Sequence, residues 1–203
     1  MKKRILDFSK VGRSTMKALA LALMLVPCSA LAQEENGFKK INVREDFTEN
    51  GFQWFRDAEL LAAGNKEKSN AMTIGWGGIG TLWGKPALTV YVAKKRYTKK
   101  IIDDSEYFTV MAFDDEHKNV LQYMGTKSGR DGDKAKALGL HTEYTANGAP
   151  YYTEAKMVIE CKIMYAAPLD QKGHKDVPKK FYNRFNAGIH TMYIGEVVNA
   201  WTK

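Results

Sequence analysis

The chain predicts a mainly β fold, a mostly antiparallel barrel with a few short peripheral helices. Three observations carry that reading. At least five segments read as strands, rich in β-branched and aromatic residues. Only two or three short helical stretches interrupt them. Strands and long helices do not alternate regularly, which argues against a doubly wound parallel sheet and for an antiparallel barrel. The 203 residues, 44% hydrophobic and 27% charged, suit one globular domain with a real core rather than a disordered chain. No internal repeat, low-complexity tract or inter-domain linker divides them.

The first 32 residues stand apart. Lys2, Lys3, Arg4, Lys10, Arg13 and Lys17 make a basic start, Ala18 to Val26 is an unbroken apolar run, and Ala30-Leu31-Ala32 supplies small residues. This is the pattern of a secretory signal, with cleavage expected near Ala32/Gln33 and a periplasmic destination. Met16-Lys17 offers a tighter alternative start. The apolar run is shorter than the roughly 20 residues that a bilayer span needs. The domain is therefore expected over residues 33–203.

Along that domain, residues 33–50 read as an extended lead-in and 52–63 as a first strand. Gly64 to Asn70 is a charged turn. A strand is expected at 71–76, a glycine-rich passage at 77–86, and a clear strand at 87–93. Lys94-Lys95-Arg96 is a basic turn, after which Thr98 can cap a short helix with Ile101 and Ile102 facing inward. A strand at 107–113 precedes acids at 114–116, placed favourably at the start of a helix that buries Val120, Leu121 and Met124. Asp131 or Asp133 can cap the next helix, which Gly139 ends. Residues 157–165 alternate as a strand, 168–180 form a polar loop, and 192–201 make the final strand.

The net charge of +8 hints at nucleic acid, but six of the 31 basic residues and one of the 23 acids lie in residues 1–32. The remaining 25 basic and 22 acidic residues are a mixed surface that needs no polyanion. Cys28 lies in the leader, so Cys161 stands alone in the domain and reads as a small core residue. The four histidines have no metal-ligand spacing, and no G-x-S-x-G elbow is present.

Three stretches carry chemistry. Gly75-Trp-Gly-Gly-Ile-Gly80 matches a dinucleotide fingerprint by letters, but it leads into a strand rather than a helix, so that reading is set aside. The same stretch sets Asn70, Thr73 and Trp76 near a glycine-lined surface where a planar ligand can approach the backbone. It reads equally as a bulged strand whose glycines relieve crowding. Arg96-Tyr97-Thr98 at a helix start suits a phosphate, or a plain cap beside solvated cations. Thr126-Lys127-Ser128-Gly129-Arg130 combines hydroxyls and cations after a helix, and reads as a phosphate loop or a solvated turn. One phosphorylated aromatic ligand accounts for all three at once.

The runs Asn-x-Met-Thr-x-x-Trp at 70–76, Gly-Thr-Leu-Trp-Gly-Lys-Pro at 80–86, Arg-Tyr-Thr at 96–98, Gly-Thr-Lys-Ser-Gly-Arg-Asp at 125–131 and Met-Tyr-Ile-Gly-Glu at 192–196 occur in that order. Together they resemble the flavin reductase-like, FMN-binding split-barrel family in its flavoredoxin-like branch. The resemblance spans residues 38–203. It implies a six-stranded antiparallel Greek-key split barrel, a homodimer, and non-covalent FMN at the subunit interface. By match to the motifs, Asn70, Met72, Thr73 and Trp76 border the flavin ring and ribityl chain. Arg96, Tyr97 and Thr98 hold the phosphate, while Thr126, Lys127 and Ser128 close over the cofactor. The chain departs from the family at 168–188, where Phe181, Tyr182 and Phe185 are expected to cover the flavin or to pack the dimer.

An FMN-dependent oxidoreductase is thus expected, with no protein acid or base required because the cofactor carries the chemistry. Export separates it from cytoplasmic NAD(P)H. That favours, as an alternative, an electron carrier fed by another redox protein. A flavin-binding module without turnover is the third reading.

Overall fold

Asn50 decides how the domain begins. Its side chain accepts from the backbone N–H groups of Phe52 and Gln53, which caps a helix over the aromatic run expected to be a strand. The computed structural model describes residues 36–203; the export signal expected over residues 1–32 lies outside the described residues. A short strand, β1 (Lys39–Lys40), precedes this helix, α1 (Gly51–Arg56). Ala58, at a left-handed φ of 71°, then turns the chain into β2 (Glu59–Gly64). The expected strand at 52–63 is therefore a helix followed by a strand: the cap and the left-handed turn override β propensity.

β3 (Ser69–Ile74) returns from a tight turn. The expected glycine-rich passage is itself a strand, β4 (Gly77–Leu82), which forms a hairpin with β5 (Lys85–Ala93). Its two-residue turn, Trp83-Gly84, has φ of 50° and 74°, the left-handed pair that matches strand twist. α2 (Tyr97–Asp103) follows. Its N-cap is Arg96, with no side-chain cap bond. Thr98 is not the cap: it lies inside the first turn, buried, its hydroxyl accepting from Asn70.

β6 (Tyr107–Ala112), α3 (Lys118–Thr126) and α4 (Lys134–Leu138) come next. Asp133 caps α4 by accepting from Lys136 N, and Gly139 ends it in the left-handed conformation, as the sequence predicts. A small hairpin, β7 (Thr142–Tyr144) and β8 (Pro150–Tyr152), precedes β9 (Met157–Pro168). The expected polar loop at 168–180 contains α5 (Asp176–Tyr182), and β10 (His190–Thr202) closes the chain.

The main sheet runs β3-β2-β6-β9-β10-β5-β4, with β1 also on β10, and every pairing is antiparallel. β3 packs back against β5, so the sheet curls into an antiparallel split barrel with β4 at its margin. The path has one strand more than the six expected, since the glycine-rich passage adds β4 at its end, and the two-residue β1 is a further edge addition. Two cores result. Leu61, Val90, Phe108, Ile159 and Tyr193 belong to one. Leu60, Met111 and Val158 belong to the other, with Val120 and Met124 of α3 and Ala135 of α4. β2 is buried from Glu59 to Ala63 because it is covered on both faces. Cys161 is free and fully buried, where each buried side chain of its size contributes on the order of 1–3 kcal/mol. No described helix is long and apolar enough to cross a membrane.

Glu59 is the exception in this core. It is 3% exposed, and its Oε2 has no hydrogen-bond partner among the described residues. Burial pushes its pKa up to about 9, against an opposing pull from Lys156. The folded state thus keeps a proton that the unfolded state releases near its ordinary value of 4.5. Its contribution is fully present below that value and is lost as pH rises towards 9. Melting curves at pH 5 and pH 8.5 test this. Wild type should lose several degrees more than Glu59→Gln over the interval, and parallel curves would contradict it.

Candidate functional site

Where β3, the start of α2 and the α3–α4 connection meet, they enclose a pocket of about 140 Å³. Asn70, Met72, Arg96, Tyr97, Thr98, Thr126, Lys127 and Ser128 line it. Eight of the ten residues marked in the sequence are therefore brought together by elements that lie far apart in the chain. Met72 and Met124 give the pocket an apolar, buried floor.

The wall is cationic. Lys95, Arg96, Lys127, Arg130 and Lys134 all line the pocket, and no carboxylate does. Arg96 donates from Nη1 to Gly125 O at 3.0 Å, which ties the start of α2 to the end of α3. Arg130 lies over the Tyr97 ring, 5.3 Å from its centre, a cation–π contact that steadies both. Asn70 Nδ2 donates to Thr98 Oγ1 at 2.8 Å, joining β3 to α2. Gly129 makes this closeness possible. A Cβ there would sit 2.1 Å from Asn70 Oδ1 and 2.9 Å from Tyr97 Cδ1.

Lys134 is the least expected member. It is only 6% exposed, and its ammonium donates to Ala71 O at 2.6 Å and Met124 O at 3.0 Å. Burial, then the charge of Arg96, pushes its pKa down to about 8. An ammonium has three N–H donors, so two carbonyls leave one unspent. Buried charge without a counter-charge is costly. An anion in the pocket relieves the repulsion among these cations and gives the spare donor a partner. In the first turn of α2 the N–H of Lys99 is spent on Arg96 O at 3.1 Å, so only the N–H groups ahead of it, on Tyr97 and Thr98, add to the donor set. The chemistry suits a phosphate or similar oxyanion.

Thr73 and Trp76 lie outside this pocket. Side chains alternate along a strand, so Thr73 faces away from Asn70 and Met72 and donates its hydroxyl to Leu121 O of α3. Trp76 follows β3 and is 47% exposed. Its ring lies 4.9 Å from that of His190 and 5.1 Å from that of Phe181. His190 is buried, accepts or donates through Nδ1 with Tyr182 OH at 2.8 Å, and stacks on Phe185 at 5.3 Å. Burial, then the charge of Arg96, lowers its pKa and so favours the neutral ring. Phe181, Tyr182 and Phe185 therefore pack on the Trp76 side of the site. Gly77 serves packing as well, since a Cβ there would meet the Phe55 ring at 2.1 Å.

Lys95, Met124 and Lys134 were not marked by any motif. For Lys134 a weak signal existed: a cation in the first turn of a helix opposes the helix dipole, and such an anomaly needs a reason.

A family model, flavin reductase like domain, matches residues 59–203. Among solved structures, the chain is similar to a flavoredoxin from Methanosarcina acetivorans, at 24% identity over 72% of this chain and 68% of that one, with a TM-score of 0.57. A flavoredoxin of Desulfovibrio vulgaris (Miyazaki F) matches at 24% identity over 72% and 69%, also at 0.57. An FMN-binding domain of a flavin reductases-like enzyme from Shewanella baltica OS155 matches at 17% identity over 81% and 76%, at 0.58. At these identities the likeness is one of fold. No curated protein matches the chain.

Lys134→Met tests the pocket's charge. Orthophosphate should raise the melting temperature of wild type above a chloride control of equal ionic strength, and should do so less as pH rises from 7 to 9. The variant should remain folded and bind phosphate at least tenfold more weakly, the scale of a charged hydrogen bond worth about 1.5–3 kcal/mol. Equal phosphate affinity in the two proteins would remove Lys134 from the site.

Proposed function

The chain belongs to the flavin reductase-like domain family, and from that premise we propose that it is a flavoprotein oxidoreductase that holds FMN non-covalently and passes electrons through it. The observation that carries this reading is the pocket itself. Residues marked from three separate motifs line one small cavity with five cations and no carboxylate. Those donors fit a phosphate ester. The cavity of about 140 Å³ is smaller than the roughly 300–1,000 Å³ of a whole small-molecule site. It fits the phosphate end, with the rest of the ligand reaching out of it.

In this reading Arg96, Tyr97, Thr98, Lys134 and Ser128 bind the phosphate, and Thr126 and Lys127 close over it. Asn70 and Met72 border the chain that leads from phosphate to ring. Trp76 offers the ring a flat apolar face beyond the pocket. Thr73 holds α3 in place and so acts through the position of Thr126. Bound FMN supplies the redox chemistry; the chain binds, orients and shields it. No side chain of the pocket is asked to transfer a proton.

A second copy of the chain is part of the proposal. Trp76 just before β4, Ile79 within it and Trp83 in the turn after it are exposed, at 47%, 40% and 67%. Single exposed apolar residues are ordinary, but a run of this kind beside an incomplete site suits a subunit interface. Residues 1–32 are proposed as an export signal, which places the domain in the periplasm. That location favours a second reading within the first: the electrons come from a redox protein rather than from NAD(P)H.

The test is the absorption spectrum of exported protein reconstituted with FMN, recorded anaerobically before and after NAD(P)H and then dithionite. Bound flavin that dithionite bleaches supports the proposal. Bleaching by NAD(P)H selects the reductase reading, and indifference to it selects the carrier. Protein that takes up no FMN contradicts both.

A further inference from the structure

Between positions 172 and 184 the chain carries Lys172, Lys175, Lys179, Lys180 and Arg184 against a single acid, Asp176. All five cations are exposed. None has an ion-pair partner among the described residues. Elsewhere on the surface some cations are paired with acids, as Lys85, Lys118 and Lys162 are, and others, such as Lys94, Lys100 and Lys136, are unpaired as well but lie apart in the sequence. What sets this segment apart is the concentration of like charge, with only Asp176 among its five cations.

The same segment turns its aromatic side chains the other way. Phe181, Tyr182 and Phe185 are half-buried, and their rings join in one connected set. Tyr182 lies 5.2 Å from Phe181 and 5.7 Å from His190. Phe181 and His190 lie 5.1 Å and 4.9 Å from Trp76. Arg96 of the pocket is close enough to lower the pKa of His190. The segment thus carries exposed cations and, half-buried, a cluster of edge-on and tilted rings that reaches Trp76 beside the proposed flavin site.

We infer that the face formed by Lys172, Lys175, Lys179, Lys180 and Arg184 docks an acidic one-electron-transfer protein, which exchanges electrons with the flavin site across the cluster of aromatic rings. This rests on the carrier reading above. Charge complementarity brings such a partner to the surface and orients it, raising the association rate by about 10–1,000-fold at low salt. Hydride transfer from a small donor needs reacting atoms within about 3.5 Å, whereas electrons cross a layer of packed rings without such contact. Each docking event oxidises one partner centre by one electron. Two events deliver the electron pair that reduces the bound flavin, with protons drawn from solvent. The segment suits a membrane surface or a nucleic acid less well, because its rings are packed inward and offer no exposed wedge or stacking face.

The test uses FMN-loaded protein and chemically reduced plant-type ferredoxin, an acidic iron–sulfur protein, with flavin bleaching followed anaerobically by stopped flow. The second-order rate should fall at least about tenfold between roughly 10 mM and 300 mM salt. Lys179→Glu/Lys180→Glu should be slowed at least about tenfold at low salt, with reduction by dithionite unchanged. A rate that ignores both salt and charge reversal would overturn the inference. Calorimetric titration of ferredoxin into flavin-free protein provides a readout independent of the cofactor: complex formation at low salt, lost in the variant, supports the docking face even if FMN never binds. Tighter binding of phosphatidylserine vesicles or duplex DNA than of ferredoxin through the same lysines would also overturn it.

Discussion

Positive charge crowded into a small space with no acid to neutralise it is the constraint on which the functional end of this protein turns. Lys134 is held inside by the carbonyl groups of Ala71 and Met124, with Arg96 bonded to the end of α3 beside it. Backbone carbonyls are partial charges, and two of them offset only part of what desolvating an ammonium costs. The pocket is consequently a site of stored electrostatic stress. An oxyanion removes that stress, and a neutral ligand does not. In the proposed reading that oxyanion is the phosphate of FMN, a group that riboflavin lacks.

The barrel exists, in this light, to hold three short stretches in register. β3 provides Asn70 and Met72, the turn into α2 provides Arg96 to Thr98, and the α3–α4 connection provides Thr126 to Arg130. None of these is positioned by its neighbours in sequence. β3 is fixed by pairing with β2 from Glu59↔Ile74 to Gly64↔Ser69, and α3 is fixed by burying Val120 and Met124 against the outer core. Cross-links such as Asn70 to Thr98 and Thr73 to Leu121 then set the distances between stretches. The second core, outside the barrel, is therefore as important to the site as the one inside it.

Much of this was legible in the sequence, and the misses have physical reasons. β5 was plain because Leu88, Val90 and Val92 repeat with the strand period and are all fully buried. α1 was hidden because its aromatic residues favour strands, while the Asn50 cap that overrides them is a single residue. β4 was hidden because glycines carry no periodicity, and α5 because its lysines read as loop. Within the site, the motif matches located eight lining residues, but they could not give the parity of β3, which turns Thr73 away from the others. Nor could they give the depth of Lys134, which depends on three distant elements meeting. The ring contacts joining Trp76 to Phe181 and His190 likewise span more than a hundred positions and leave no local trace.

The central claim is that the pocket recognises a phosphate ester on a flavin. Fluorescence titration of the flavin-free protein with FMN and with riboflavin, at equal ionic strength and pH 7, compares two ligands that differ in that group alone. The account predicts FMN binding at least about a hundredfold tighter, the combined effect of two or more charge-assisted hydrogen bonds of about 1.5–3 kcal/mol each. Equal affinity for the two flavins would contradict it.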